Sequence, residues 1–133
     1  MNAVSACIYT TLTQGTALTS LLAGTASVYK DKAPDDASYP YVVYNLHGGG
    51  EENQTPQRSK NVVYFIRAYS KTSTANAGNI DTQVDSLLHG KTLTVTGWNN
   101  WYTVREGEIE NTEVLSNGDR VYSAGALYRI KIA

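Results

Sequence analysis

Val4, Cys7, Ile8, Thr11 and Leu12 fall at i, i+3, i+4, i+7 and i+8, a stripe that predicts an amphipathic helix near the start of the chain. Gly15 interrupts it, and Leu18, Leu21 and Leu22 extend it as a second short helical piece ending at Gly24. Ala77, Ile80, Val84 and Leu88 form another stripe across residues 74–89. Ser73 or Thr74 can cap its start, and Gly90 can close its end in the left-handed conformation.

Elsewhere the period drops to two. Residues 26–29 predict a short strand, and residues 41–47 and 61–69 predict longer ones rich in Val, Tyr, Phe and Ile. In the last of these, Val62, Tyr64, Ile66 and Ala68 share one face, while Val63, Phe65, Arg67 and Tyr69 share the other. Neither face is fully polar, so both are expected to be covered, one by helices and one by another subunit. Residues 93–96 add a short strand. Asn117-Gly118 reads as a two-residue hairpin turn, because both positions tolerate positive φ. After it, Ala124, Ala126, Tyr128, Ile130 and Ile132 alternate with Gly125, Leu127, Arg129 and Lys131. The partner segment 103–115 alternates poorly. Ideal pairing would set Arg105 beside Ile130 on the core face, which predicts a bulge or a longer loop.

Two connections stand out. Residues 30–38 form a charged loop containing Pro34, which opens into Tyr39-Pro40-Tyr41-Val42-Val43-Tyr44. Pro40 can start a strand but cannot donate within a central ladder, so the loop delivers the chain into the sheet at a fixed place. Residues 48–59, which include Gly48, Gly49, Gly50, Glu51, Glu52, Gln57 and Arg58, hold nothing apolar to bury and read as a long, mobile polar loop.

At 133 residues the chain fits a single domain, 1–133, and no apolar run is long enough for a membrane-spanning helix. The first residues lack the basic and apolar pattern of a secretory signal, and Cys7 has no second cysteine to pair with, so a cytoplasmic product is expected. Asn53-Gln54-Thr55 matches a glycosylation sequon that carries no weight without secretion. Net charge is −1 from 11 basic and 12 acidic residues. Arg58, Lys60, Arg67, Lys71, Arg129 and Lys131 are scattered, which argues against sequence-specific nucleic acid binding. Ten tyrosines suit either half-buried interfaces or simple strand preference.

Catalytic and metal patterns are not found. His47 and His89 stand without HxxxH, CxxC or GxSxG partners, and His89 suits a helix C-terminus. Glu51-Glu52 after the glycine run would repel a phosphate, and no helix pattern starts there. The pair Asp35-Asp36 reads as solvated loop charge. Glu106, Glu108 and Glu110, spaced by two, are expected on one strand face. They line a negative surface or meet a neighbour's cations, or they form the solvent face of an edge strand. Trp98 and Trp101 bracket Asn99-Asn100 in an expected turn and cover a core end, a subunit contact or a sugar. No enzyme, cofactor or metal is expected.

The order of these elements resembles the tail terminator (tail-completion) proteins of long-tailed bacteriophages. The likeness runs through the leading helix with Leu18-Thr19-Ser20-Leu21-Leu22, Val28-Tyr29, Ala33-Pro34 and Tyr39-Pro40-Tyr41-Val42-Val43-Tyr44. It continues in the strand 62–69 joined directly to the helix ending at Leu88, and in Leu127-Tyr128-Arg129-Ile130-Lys131-Ile132. The resemblance implies an α+β domain with a mixed or mainly antiparallel sheet of about five to six strands, flanked by two helices. It further implies a homohexameric ring at the head-proximal end of the virion tail, assembled in the host cytoplasm. Such a ring caps the tail tube protein, ends polymerisation and offers its other face to a head-completion or connector protein. DNA passes through it, and no membrane is involved.

On this reading the 48–59 loop, Tyr69, Trp98 and Trp101 meet the tube or a neighbouring subunit, and Glu106, Glu108 and Glu110 line the lumen. Surface scaling gives a monomer on the order of 7,000 Å², of which two patches of about 800 Å² would cover roughly a quarter. The alternatives are a head-tail adaptor, stopper or tube protein, a carbohydrate- or ligand-binding module built on the tryptophans, and an enzyme around His47, Asp35 or Glu51.

Overall fold

The computed structural model describes residues 2–24, 27–52 and 58–133. In chain order they form α1 (Asn2–Thr13), α2 (Thr16–Thr19), β1 (Val28–Lys30), β2 (Tyr41–Glu51), β3 (Lys60–Ser70), α3 (Thr74–Leu88), β4 (Thr94–Val95), β5 (Trp98–Val114) and β6 (Arg120–Ile132). The strands make one six-stranded sheet in the order β1-β2-β3-β6-β5-β4. Only β1 and β2 run parallel; every other pair is antiparallel. The fold is α+β, as the resemblance implies.

The helices collect on one face. Val42 and Tyr44 of β2, Val62, Tyr64 and Ile66 of β3, and Tyr128, Ile130 and Ile132 of β6 join Val4, Ile8 and Leu12 of α1 and Ile80, Val84 and Leu88 of α3 in a single core. Tyr64 and Tyr128, buried there, keep their hydroxyls satisfied. Tyr64 shares a 2.7 Å hydrogen bond with Ser5, tying α1 to the middle of the sheet. The Ser73 side chain caps α3 by accepting from the Asn76 N–H at 3.0 Å, and Gly90 follows at φ +70°. His89 accepts the Arg105 N–H at its Nδ1, which fixes the other ring nitrogen as the protonated one in the neutral imidazole. The opposite sheet face carries Val43, Phe65, Arg67, Tyr69 and Leu127, with no helix above it among the described residues.

Three expectations change, and the hairpin takes both the longer loop and the bulge that were expected as alternatives. The glycine run is strand, not loop: Gly48, Gly49 and Gly50 pair with Val63, Val62 and Asn61 after a bulge at His47. Gly49 sits at φ +105°, and a Cβ there would stand 2.6 Å from Val62 Cα, so this close approach of backbones requires glycine. Gln57 lies outside the described residues. Trp98 and Trp101 are in β5, bulged between Asn100 and Tyr102; the turn lies before them, at Gly97. The hairpin closes on a Val114–Arg120 pair, so its loop spans 115–119 and is longer than two residues.

The third change concerns the acidic row. A second bulge between Glu106 and Glu108, with Gly107 at φ +41°, reverses the alternation. Glu106 pairs with Leu127 on the uncovered face, whereas Glu108 and Glu110 pair with Ala126 and Ala124 on the helix side. The spacing in sequence was correct, but the extra residue turns the row around. The bulge and the longer loop together set Arg105 opposite Tyr128, still on the core side.

Candidate functional site

The uncovered sheet face and its rims carry two groups of side chains, one at each end of β3. At the first end, the sheet brings together residues far apart in sequence. Arg58 and Lys60 both reach Glu51, at 2.5 and 3.6 Å. Lys60 also lies 5.7 Å over the Trp98 ring, and Lys131 lies 5.9 Å over Trp101. Lys131 pairs with Glu52, whose backbone carbonyl accepts the Ser59 hydroxyl. Arg129 holds Glu106 through Nε at 2.6 Å and donates to Asn61 at 3.2 Å. Hydrogen bonding to Lys131 lowers the Glu52 pKa, and hydrogen bonding to Arg129 lowers that of Glu106. Glu51, Arg58 and Trp98 therefore gather around Lys60 on the helix side of this end of the sheet, while Glu52 and Trp101 gather around Lys131 on the open face, so residues singled out separately in the sequence meet in two clusters, one on each face. Trp98 packs partly against the core, while Trp101 is 63% exposed.

Tyr69 belongs to neither cluster. It lies at the other end of β3, about 27 Å along the strand from Asn61. There Tyr29, Tyr39, Tyr41 and Tyr69 form a chain of ring contacts with centroids 4.8–5.8 Å apart. Beside them Arg67 lies across the Phe65 ring at 4.6 Å and near Tyr69 at 5.5 Å. A groove of about 460 Å³ is floored by Val43 and Arg67 and walled by Tyr39, Tyr41, Tyr69 and, from the hairpin loop, Leu115. The sequence reading counted Arg67 among scattered cations. The available signal was its place on an otherwise apolar and aromatic strand face.

On the helix side, Arg105 anchors the edge strand to α3. Its guanidinium donates to both Asp81 oxygens, at 3.1 and 2.5 Å, and to the Tyr128 hydroxyl at 2.8 Å. Burial works against its charge, yet the bonds to Asp81 and Tyr128 raise its pKa above the usual arginine value. Glu108 and Glu110 line a shallow groove with Asp81 and Asp85 in front of it.

Among the described residues, the groups considered for catalysis do not come together. His47 meets the Phe65 ring edge and His89 caps α3, so the two histidines serve separate elements. Burial raises the Cys7 thiol pKa and keeps it protonated, the opposite of a reactive nucleophile. Among the described residues, no cluster of three His, Cys, Asp or Glu could hold a metal ion.

The family model described as "Tail completion protein gp17" matches residues 6–133. No curated protein matches the chain. Among solved structures, a chain of the "Virion of native gene transfer agent (GTA) particle" is similar at a TM-score of 0.81 and 15% identity, covering 98% of this chain and 95% of that one. At that identity the likeness concerns the fold.

Proposed function

The chain belongs to the tail completion protein gp17 family, structural components of phage tails, and on that premise we propose that it closes a homohexameric ring on the tail tube. The ring ends polymerisation of the tube protein and presents its other surface to a head-completion or connector protein. Its place is the head-proximal end of the tail. The observation that carries this reading is the family match, which spans residues 6–133.

The fold supports it in two ways. First, among the described residues the sheet has two unlike free edges: beyond β1 the outer side of β2 is open at residues 45–50, and beyond Arg105 the outer side of β5 is open to Val114. Unlike edges make head-to-tail contacts, which close into a ring when the rotation between subunits divides a full turn. Second, this end of the sheet carries Glu51, Arg58 and Trp98 on one face and Glu52, Lys131 and Trp101 on the other, an aromatic and charged surface of the kind that meets another protein. We assign it to the tube or the neighbouring subunit. Glu108 and Glu110, on the helix side, are the acids we assign to the lumen, where negative charge keeps passing DNA from binding, with Glu108 leaning on Arg105 at 3.2 Å; Glu106 points to the other face, where Arg129 holds it.

Disrupting the gene in the producing phage tests the reading by electron microscopy of the lysate. Overlong, headless tails beside filled heads are expected. Normal-length tails that fail to join heads would reassign the chain as an adaptor or stopper, and normal infectious particles would refute both.

A further inference from the structure

We propose that the tyrosine groove around Arg67 docks a carboxylate-bearing segment of a different virion protein. The argument starts from the arginine. Among the described residues Arg67 has no ion-pair partner, and its Nε is buried without a hydrogen-bond acceptor. Arg105 also has a buried Nε without an acceptor, but its terminal nitrogens hold Asp81, and Arg129 holds Glu106; what sets Arg67 apart is that, among the described residues, no carboxylate meets any of its nitrogens. An arginine held half-buried with an idle Nε is costly, unless an acceptor arrives when a partner binds.

The site around it is pre-formed. Gly125 faces Arg67 on β6, and a Cβ there would stand 2.8 Å from both Cα and Cγ of Arg67. The missing side chain makes room for the arginine to lie flat, and the Phe65 and Tyr69 rings flank its plane. Asn45 lies diagonally across from Arg67 on the same face, beside Phe65, and its Oδ1 is likewise buried without a donor. The face thus offers one idle donor and one idle acceptor around a single ring, framed by tyrosines. An extended peptide supplies both complements, with a carboxylate for Arg67 and an N–H for Asn45. Tyrosine and arginine are also the residues that dominate protein-binding hot spots.

Nearly all of the chain's own acids are engaged by cations or sit at the groove, with Asp31 and Asp35 in its lining. Of its 12 acidic residues, Asp35, Glu51, Glu52, Asp81, Asp85, Glu106, Glu108 and Asp119 already pair with cations. Asp31 lines the groove itself, Asp36 sits in the adjoining loop, and Glu113 acts on Tyr41 and Tyr69 beside it. Only Glu110 remains elsewhere. The occupant is therefore taken from a neighbouring protein of the tail or connector. This uses the assembly reading only to place the chain in a virion, not its ring.

Two substitutions test it. Arg67→Met keeps the length of the side chain and removes the charge. The purified variant should keep the urea midpoint and the assembled mass of the unsubstituted protein, while infectious titre falls at least about tenfold, the low end expected for loss of a desolvated charge contact. A lowered midpoint would make Arg67 a structural residue, and an unchanged titre would remove its role; either overturns the proposal. Arg67→Lys places an amine where carbodiimide can couple it to an apposed carboxylate in intact particles. A crosslink from position 67 to an Asp or Glu of another virion protein is expected. A crosslink to a second copy of this chain, or none, refutes the proposed occupant. Loss of assembled mass in the unsubstituted protein would instead count against the ring alone.

Discussion

At the scale of single residues, the two sheet faces use arginine in opposite ways. Arg105 and Asp81 are 13% and 12% exposed at their side chains and are joined at two points, with the Tyr128 hydroxyl as a third partner. Removing one member of such a pair leaves the other buried and uncompensated. Arg105→Ala should therefore cost about 3 kcal/mol in urea unfolding. Arg129 and Glu106 are 36% and 42% exposed, where water screens the pair. Arg129→Ala should cost under about 1 kcal/mol in the same measurement. Comparable losses from both substitutions would mean that Arg105 acts through the packing of its stem rather than through its charge. The sequence could flag Arg105 only as a misfit on a core face. That α3 carries its partner, 24 residues earlier, is visible only once β5 lies beside the helix.

At the scale of elements, bulges decide what the local pattern leaves open. The helical stripes were legible because burying one face at the helical period needs nothing beyond local spacing, and α1 and α3 occupy the stretches their stripes mark. The strands 61–69 and 124–132 were legible for the same reason at period two. What the pattern hid was register. The extra residues at His47, Trp101 and Gly107 lengthen β2 through a glycine run, draw the tryptophans into β5 and send Glu106 to the face opposite Glu108. Each is a single-residue event whose consequence appears only in the partner strand. Moving Glu106 to the open face gives it Arg129, while Glu52 just past β2 meets Lys131 of the same strand, so both acids clamp β6. Their folded pKa values are lowered, so their contribution is present above the unfolded carboxyl range, near pH 4.3, and is lost as pH falls through the folded values below it. The double substitution Glu52→Gln with Glu106→Gln should lower the urea midpoint at pH 7 and leave it matched to the unsubstituted protein near pH 3. An equal gap at both pH values would show that the side chains act through shape and not through charge.

At the scale of the whole molecule, the distribution of cover is uneven in a way that an isolated monomer does not explain. Helices shield one face of the sheet, yet residues 106–120 are exposed at every position, although β5 runs as strand to Val114 and returns in β6. This arm carries Ile109 at 44% and Val114 at 67% exposure, alongside acids and an open backbone edge. Charge on an edge strand discourages indiscriminate pairing, while exposed aliphatic side chains between the charges reward one fitted partner. The monomer exposes 7156 Å², so two ring contacts of about 800 Å² each would cover roughly a quarter of it. Such contacts fit on the arm and on the open side of β2 without disturbing the core. If the arm joins neighbouring subunits, Ile109→Asp with Val114→Asp should leave the unfolding midpoint nearly unchanged, because neither side chain is buried in the monomer. The same variant should fall from ring mass to the 14.5 kDa monomer in size-exclusion chromatography with light scattering. An intact ring in that variant would free the arm from subunit contact and turn it toward the tube. The ring would then have to close through the end of the sheet that carries Glu51, Arg58 and Trp101, where side chains distant in sequence converge on both faces.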